Sequence, residues 1–565
     1  MNKERVARNY ALANAVKYEG KASAGNIVGA ILQNYPDWKA EIKSLMPLIQ
    51  KAVGEVNKLT IAEQVAEIEE HAPELLEKKR TDRPKDELKP LPHGDFGKVV
   101  MRVEPSPSGY LHLGHSFPLI LNSEYCRQYE GKMILRISDT NPEKIVSEAY
   151  AYHYEDAQWL TQGNVAKMEI QSERMEIYYA HMLKLVEEGH AYVCNCSSEE
   201  FKKLADTKTA CPCRGKAVKQ NVKEWHGMLT DTPEGDAVVR MKTDIAHKNP
   251  AMRDFPLFRI DENEHARQGK KYRAWPLMNF AVAIDDHDMG MTHVIRGKDH
   301  LDNTQRQMYI YNAFGWTPPE FIHTGLVSIH GLPLSKTEIK QKIAEGYYTS
   351  WEDPRIAFLR IMRRRGYRPE ALTKMVKSYG VTAVDKSVEA SEFFKTLNFF
   401  NKEVVDPIAK RYYFVENPKE IIVTGAPMRE VELDLHPSNI KGGRSFACGE
   451  KYLLADADLK EIKKDELVRL HENLNFKKTA KGYSFVSTSV EDWKGKGEKI
   501  LHWLPSTHAH VPVRLIMDDG TIRLGAGESR LGELEPLTTV QFERMCFATY
   551  QGSVDGAHEF WYLHR

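Results

Sequence analysis

The stretch "RVEPSPSGYLHLGHS", Arg102 to Ser116, stands between the apolar run "KVVMRV" and the segment "SFPLILNSEYCRQYEG", with "KMILRI" following. Two short β-branched or apolar runs flanking a segment long enough to cross over predict a β-α-β unit with parallel strands. The helix ends at Gly131, and Pro118 falls in its first turn, where a missing N–H costs nothing. The quoted stretch is then the loop that leaves the first strand and feeds the helix N-terminus. Such a loop favours an anion, because unpaired N–H groups and the helix dipole both point at it. Gly114 lets a flat base or a phosphate approach the backbone, and His112 and His115 can donate to phosphate oxygens. Taken alone, H-x-G-H also describes a turn carrying surface histidines.

Outward from this unit, the strand-like runs "MTHVIR" and "FIHTGLVSI" come only after residue 290, so the sheet domain is interrupted by an insert. The expected boundaries are 96–190 and 275–345 for the two halves of the sheet domain and 191–274 for the insert. Residues 346–395 read as helical. Residues 396–565 read as all-β, with "RYYFVENPKEIIVTG", "KGYSFVST" and "VPVRLIMDDGTIRLG" as strands and Asp519-Gly520 as a hairpin signal. Residues 1–95 form a helical extension in which Ile61, Val65, Ile68, Ala72 and Leu75 make one apolar stripe, with Pro73 as a break. The run "EKKRTDRPKDELKPLPHGDFG" reads as the linker after it. The expected fold class is multidomain α/β plus all-β.

A chain of 565 residues, 42% apolar, can bury several cores. No stretch nears the roughly 20 uninterrupted apolar residues of a membrane span, and the N-terminal residues lack a signal-peptide core. The expectation is a cytoplasmic protein without membrane contact. Lys plus Arg and Asp plus Glu are 79 each, so net charge gives no sign of a nucleic-acid partner, which must be met by local patches. "RIMRRRGYRPEALTKMVKSYG" is one candidate, the alternative being a solvated helix face.

Four of the seven cysteines fall in "CNCSSEEFKKLADTKTACPCRG" within the insert. Cys194 with Cys196 and Cys211 with Cys213 give two close pairs able to close a tetrahedral, structural Zn²⁺ site. Cys126, Cys448 and Cys546 are isolated and expected to be buried packing residues.

"RVEPSPSGYLHLGHS" resembles the HIGH signature of class I aminoacyl-tRNA synthetases, and with "ILRISDTNPEK" behind it the glutamyl and glutaminyl branch. "LPLSKT" resembles the second signature, KMSKS, with Pro333 in place of its first lysine. The resemblance covers all but the first 95 residues. It implies a Rossmann-type catalytic domain, an acceptor-stem-binding insert, a helical stem-contact region and two anticodon-binding β-barrels. It implies ATP, used with Mg²⁺, as a substrate bound by His112, Gly114, His115, Ser335 and Lys336, with Lys336 neutralising the leaving pyrophosphate.

The same resemblance implies that Arg102 and Ser106 grip the substrate backbone and that Arg296, in "HVIRGKDH", pairs with the side-chain carboxylate of L-glutamate. A guanidinium fork would reject neutral glutamine by about 10³-fold. An alternative partner for Arg296 is Asp285 or Asp286. Where relatives carry a carboxylate for the amino group this chain has Ser138, followed by Asp139, and a tyrosine position is Met278. Asp139 is the candidate replacement. The β-barrel tail together with Arg296 resembles the archaeal type of glutamyl enzyme. Partners implied are tRNA(Glu), with tRNA(Gln) left open, and for the N-terminal extension either tRNA or a protein. The rival readings are a glutaminyl enzyme and a non-catalytic tRNA-binding paralogue.

Overall fold

The computed structural model of the chain describes residues 3–18, 20–72, 75 and 88–565. Two compact units divide it, Met1–Lys85 and Asp86–Arg565.

The first unit holds α1 (Lys3–Lys17), α2 (Ala24–Asn34), α3 (Ile42–Val56) and α4 (Ile61–His71). Small residues let α1 pack closely: Ala7, Ala11 and Ala15, at four-residue steps, are fully buried beside Ile49 and Val56 of α3. The expected stripe on α4 is only partly the buried one. Ile68 and Ala72 are buried, but Ile61 is exposed at the helix start, and Gln64 takes the inward position one turn before Ile68. Thr60 caps the helix, its hydroxyl accepting from Glu63 N while Glu63 reaches back to Thr60 N. Pro73 and most of the charged linker lie outside the described residues.

Gln64 is buried because its amide ties loops together. Its Nε2 donates to Val56 O at 2.9 Å, Gly20 O at 3.1 Å and Leu59 O at 3.2 Å. Gln64→Leu would leave Gly20 O and Leu59 O without this donor, which costs about 2 kcal/mol. The expected outcome is faster amide hydrogen exchange across α4 in the full-length chain.

In the second unit β1 (Val100–Val103), α5 (Ser116–Gln128), β2 (Lys132–Ile137), α6 (Ala149–Leu160) and β3 (Lys167–Ile170) form a parallel sheet in the order β1-β2-β3 with its crossover helices. The expected β-α-β unit is present, with Val100 opposite Lys132. Gly131 is required at the return into β2, since a Cβ there would stand 2.4 Å from Val99 O.

After α7 (Met175–Glu187) comes an antiparallel sheet in sequence order, β4 (Ala191–Cys194), β5 (Val238–Met241), β6 (Pro256–Ile260) and β7 (Ala274–Pro276). Helices α8 (Ser198–Asp206) and α9 (Val218–Thr230) lie between β4 and β5. The chain then returns through α10 (Met278–Asp288), β8 (His293–Gly297), α11 (Leu301–Phe314) and β9 (Glu320–Thr324), with β8 and β9 parallel. Thr292, just before β8, donates its N–H to Val100 O at 3.0 Å, which sets β8 beside β1.

"FIHTGLVSI" is two strands. β9 stops at Thr324, and β10 (Val327–His330) pairs elsewhere, because Gly325 lies so close to Val384 that a Cβ would fall 2.1 Å from its carbonyl oxygen. The region that follows holds α12 (Lys336–Ala344), α13 (Leu359–Arg365), α14 (Pro369–Tyr379), β11 (Lys386–Glu389) and α15 (Ala390–Val405). β11 pairs with β10 in parallel, so a strand interrupts the expected run of helices.

Beyond residue 409 the chain is sheet-rich. Lys410–Tyr412 and Phe414–Glu416 lie at opposite edges of one seven-stranded sheet whose other strands come from residues 510–564. Only Tyr413 separates those two strands, and strands are about 4.8 Å apart, so the sheet curls until its edges meet. A second seven-stranded sheet, drawn from residues 418–505, is threaded between the two parts of the first. Cys126, Cys448 and Cys546 are buried and unpaired, as expected of packing residues.

Candidate active site

A cavity of about 630 Å³ opens at the C-terminal ends of β1, β2 and β8. Arg102, Ser106, His112, Gly114, His115, Ser138, Met278 and Arg296 all line it. Residues nearly two hundred positions apart therefore meet because β8 lies beside β1.

The loop between β1 and α5 is fixed at both ends. Leu113 N donates to Ala357 O at 2.9 Å and Leu359 N to Leu111 O at 2.8 Å, with His112 bridged to Phe358. The residues Leu113–His115 form a short 3-10 turn that runs into α5. Gly114 N donates to His112 Nδ1 at 3.1 Å, and His112 N donates to His115 Nδ1 at 3.1 Å. An imidazole nitrogen that accepts from a backbone N–H carries no proton, so both rings are the Nε2–H tautomer. Each thus offers one donor, as the loop's proposed use requires. Gly114 is needed for the ring as much as for any ligand, since a Cβ would stand 2.9 Å from His112 Cε1.

Burial holds both histidines neutral. It lowers His112 to about 4, and it lowers His115 to about 3 with help from His112 and His153. His153, on α6, bonds Gly109 O through Nε2 at 2.8 Å and so props the loop from behind.

Lys336 opens α12, and its Nζ donates to Ser108 O. Its Cδ lies 3.2 Å from where a Cβ on Gly109 would stand, so the lysine lies across the loop. Leu334 lines the cavity near Gly114, while Ser335 stands at the N-cap position of α12 and neither it nor Lys336 lines the cavity wall. The two loops that the signatures occupy are therefore in contact.

A buried ion network backs the cavity. Arg102 donates to both Asp286 oxygens at 3.0 Å. Arg136, fully buried on β2, donates to Asp286 Oδ1 at 2.6 Å and Glu104 Oε2 at 2.9 Å. Burial alone would raise Asp286, yet Arg102 and Arg136 hold it down to about 2. Asp285 is answered by Arg174 at 2.7 Å and Tyr178 at 2.7 Å. The aspartates weighed as partners of Arg296 thus belong to other arginines.

Arg296 itself makes no ion pair among the described residues. Its Nη2 donates to Thr304 Oγ1 and, at 2.9 Å, to Gln307 Oε1, both one turn apart on α11, and its guanidinium lies 4.9 Å from the Phe321 ring. Its Nε is buried without a partner. Burial, then repulsion from Arg102, lowers its pKa to about 10.

Asp139 does not line the cavity. It is buried, and it accepts from Tyr150 Oη at 2.7 Å, Ser172 Oγ at 2.7 Å and Ser172 N at 2.8 Å. Most of the basic residues around α13 and α14 are paired or buried within the chain. Arg365 is buried, Arg364 pairs with Glu352, Lys374 with Glu403 and Lys377 with Glu124. Arg136, His153, Thr304 and Gln307 were not singled out by sequence, and Asp286 was weighed there only as a partner of Arg296, whereas it pairs with Arg102 and Arg136.

Away from the cavity, Cys194 ends β4, and its Sγ lies 3.8 Å from that of Cys211, as Cys196 Sγ does from Cys213. All four sulfurs lie within 4.8 Å of one another.

A family model described as tRNA synthetases class I (E and Q), catalytic domain, matches residues 98–407, and one for the class I (E and Q) anti-codon binding domain matches residues 409–489. The chain belongs to the class I tRNA synthetases of the glutamate and glutamine branch. Its relatives along nearly the whole length carry the name glutamate–tRNA ligase. That of Methanocaldococcus jannaschii is 39% identical over 561 residues, covering 98% of this chain and 99% of its own. That of Methanothermobacter thermautotrophicus is 40% identical over 565 residues, covering 100% and 99%. A solved glutamate tRNA ligase of Elizabethkingia meningosepticum covers 55% of this chain and 70% of its own at 21% identity, with a TM-score of 0.40.

The histidines give the site a definite pH response. Their folded values lie below the ordinary 6.5, so the neutral form favours folding. That stability is complete above about pH 6.5 and is lost as pH falls toward about 4 for His112 and about 3 for His115. The melting temperature should drop over that window, and His115→Asn, which keeps an acceptor for His112 N, should make the drop shallower.

Proposed function

We propose that the cavity activates L-glutamate with ATP and that the enzyme transfers the glutamyl group to the 3′ end of tRNA(Glu). The observation that carries this reading is Arg296. It is a cavity-lining cation with a buried, unpartnered Nε and no carboxylate of its own. An arginine desolvated without a counter-ion gains most from a ligand that brings one, and a planar carboxylate matches its fork. Glutamine brings a neutral amide and leaves the charge unanswered.

In the first step a carboxylate oxygen of glutamate attacks the α-phosphorus of ATP, the bond to the β-phosphate breaks and pyrophosphate leaves. In the second, a hydroxyl of the terminal ribose attacks the acyl carbon, the bond from that carbon to the phosphate oxygen breaks, and AMP leaves with the hydroxyl proton passing to its phosphate. His112 and His115 donate Nε2–H to phosphate oxygens while neutral, which suits a developing anion without a proton transfer. Arg102, held by Asp286, and Ser106 take the substrate backbone. Lys336, lying on Ser108 and Gly109, reaches the departing pyrophosphate, and Ser335 stands beside it. Mg²⁺ bound with ATP supplies further neutralisation of the phosphates. Positioning and charge carry the rate, and no side chain acts as a nucleophile.

The four cysteines fit a structural zinc ion. A tetrahedron with Zn–S bonds of about 2.3 Å has edges of about 3.8 Å, and the two measured sulfur pairs are 3.8 Å apart. A site closed by four sulfurs, in the reducing setting of the cytoplasm, stabilises the insert that meets the acceptor stem. The curled sheet and the sheet threaded into it are read as the two anticodon-binding barrels.

Glutamate-dependent ATP–pyrophosphate exchange, run with and without tRNA and with glutamine as competitor, tests the reading. Exchange with glutamate is expected, and tRNA binding without exchange for either amino acid would favour the non-catalytic paralogue. Arg296→Ala should lower kcat/KM for glutamate by about 10²–10³-fold while ATP binding persists. Metal analysis should find one zinc per chain, lost in the Cys211→Ser, Cys213→Ser double variant together with protection of β4 and β5 from proteolysis.

A further inference from the structure

An amino-acid substrate brings an α-ammonium group, and the positions considered for it by sequence do not answer it. Ser138 lines the cavity but offers only a hydroxyl, Met278 is apolar, and Asp139 is buried against Tyr150 and Ser172 outside the cavity wall. Two carboxylates do line the cavity, Glu104 and Asp299. Asp299 is half exposed beside His300, where water screens its charge. Glu104 is sheltered, its side chain 9% exposed, immediately after β1.

We propose that Glu104 holds the α-ammonium group of the amino-acid substrate, an inference that rests on the glutamate reading above. Glu104 Oε1 accepts from Gln171 Nε2 at 2.9 Å and Oε2 from Arg136 Nη2 at 2.9 Å. A carboxylate oxygen has a second lone pair, so each can take one further donor. Oε2 also lies 3.7 Å from Arg102 Nη2. An α-amino acid carries its ammonium and carboxylate on one carbon, and Glu104 and Arg102 present the complementary charges side by side.

The charge balance points the same way. With Asp285 answered by Arg174, the charged groups lining or backing the cavity are Arg102, Arg136, Arg296 and Lys386 against Glu104, Asp286 and Asp299. That is one positive charge in excess. Glutamate, with two carboxylates and one ammonium, supplies the missing negative charge when its ammonium sits at Glu104. Glutarate, the same molecule without the amino group, overshoots it.

The test compares the binding of glutamate and glutarate to the full-length protein by calorimetry, in wild type and in E104Q, which keeps the shape and one acceptor. Wild type should bind glutamate at least about tenfold more tightly than glutarate, the value of one charge-assisted bond. E104Q should weaken glutamate and bring that ratio near one. Equal weakening of both ligands with the ratio preserved would overturn the proposal, leaving Glu104 as a prop for Arg102 and Arg136. A wild-type ratio near one would overturn it without any variant. If E104Q does not fold, E104A, which also removes the charge, carries the same comparison, and an unchanged ratio there is again fatal. Failure of wild type to bind either dicarboxylate while binding ATP would instead remove the glutamate reading itself.

Discussion

The buried pairing of Arg102 and Arg136 with Asp286 is the constraint on which the rest of the catalytic half depends. It joins β1, β2 and α10, three elements contributed by distant parts of the chain. Burying such charges costs several kcal/mol per ion and is repaid only by near-ideal geometry. Here both oxygens of Asp286 are engaged, at 2.6 and 3.0 Å, and Glu104 completes Arg136. The pairing does more than hold the sheet. It occupies Asp286, while Arg174 takes Asp285, so that Arg296, entering from the neighbouring strand, keeps a guanidinium face with no protein carboxylate upon it. One arginine is satisfied so that another stays available.

The same logic governs the loop between β1 and α5. Backbone N–H groups that would otherwise be free at the helix start are spent on imidazole Nδ1 atoms. That spending decides which nitrogen of each ring carries hydrogen, and burial decides that the rings stay neutral. A helix entrance thus passes its polarity outward through two side chains, with Gly114 leaving room for the first of them.

Much of this was legible in the sequence. The β-α-β unit followed from apolar runs and a crossover length, and the zinc-like cluster from two close cysteine pairs. Arg296 and both histidines line one cavity, as their resemblance to known signatures implied. What was illegible depends on the third dimension. Gln64 looks like a surface residue in any helical pattern, and only the carbonyls around it make burial favourable. The basic residues of α13 and α14 read as a candidate patch for nucleic acid, yet Arg360 and Arg364 meet Glu352 and Lys377 meets Glu124 of α5. Gly325 splits one apolar run into two strands because a distant loop presses on it. A one-dimensional pattern records periodicity and motif, and it does not record which backbone atom waits on the other side.

The single-residue step at Tyr413 also bears on how the chain is made. Two strands separated by one residue in sequence are completed by partners from the last fifty or so residues, with an entire second sheet intervening. During synthesis the edges at Lys410–Tyr412 and Phe414–Glu416 emerge long before Thr539–Phe542 and Ile522–Glu528 exist to pair with them. Contacts of such sequence separation form slowly, and unpaired strand edges invite association with other nascent chains. The sheet drawn from residues 418–505 is contiguous and free to fold first, which shortens the effective loop that the outer sheet must close. Vectorial translation thus imposes an order on this half of the molecule, inner sheet before outer, that its final architecture conceals.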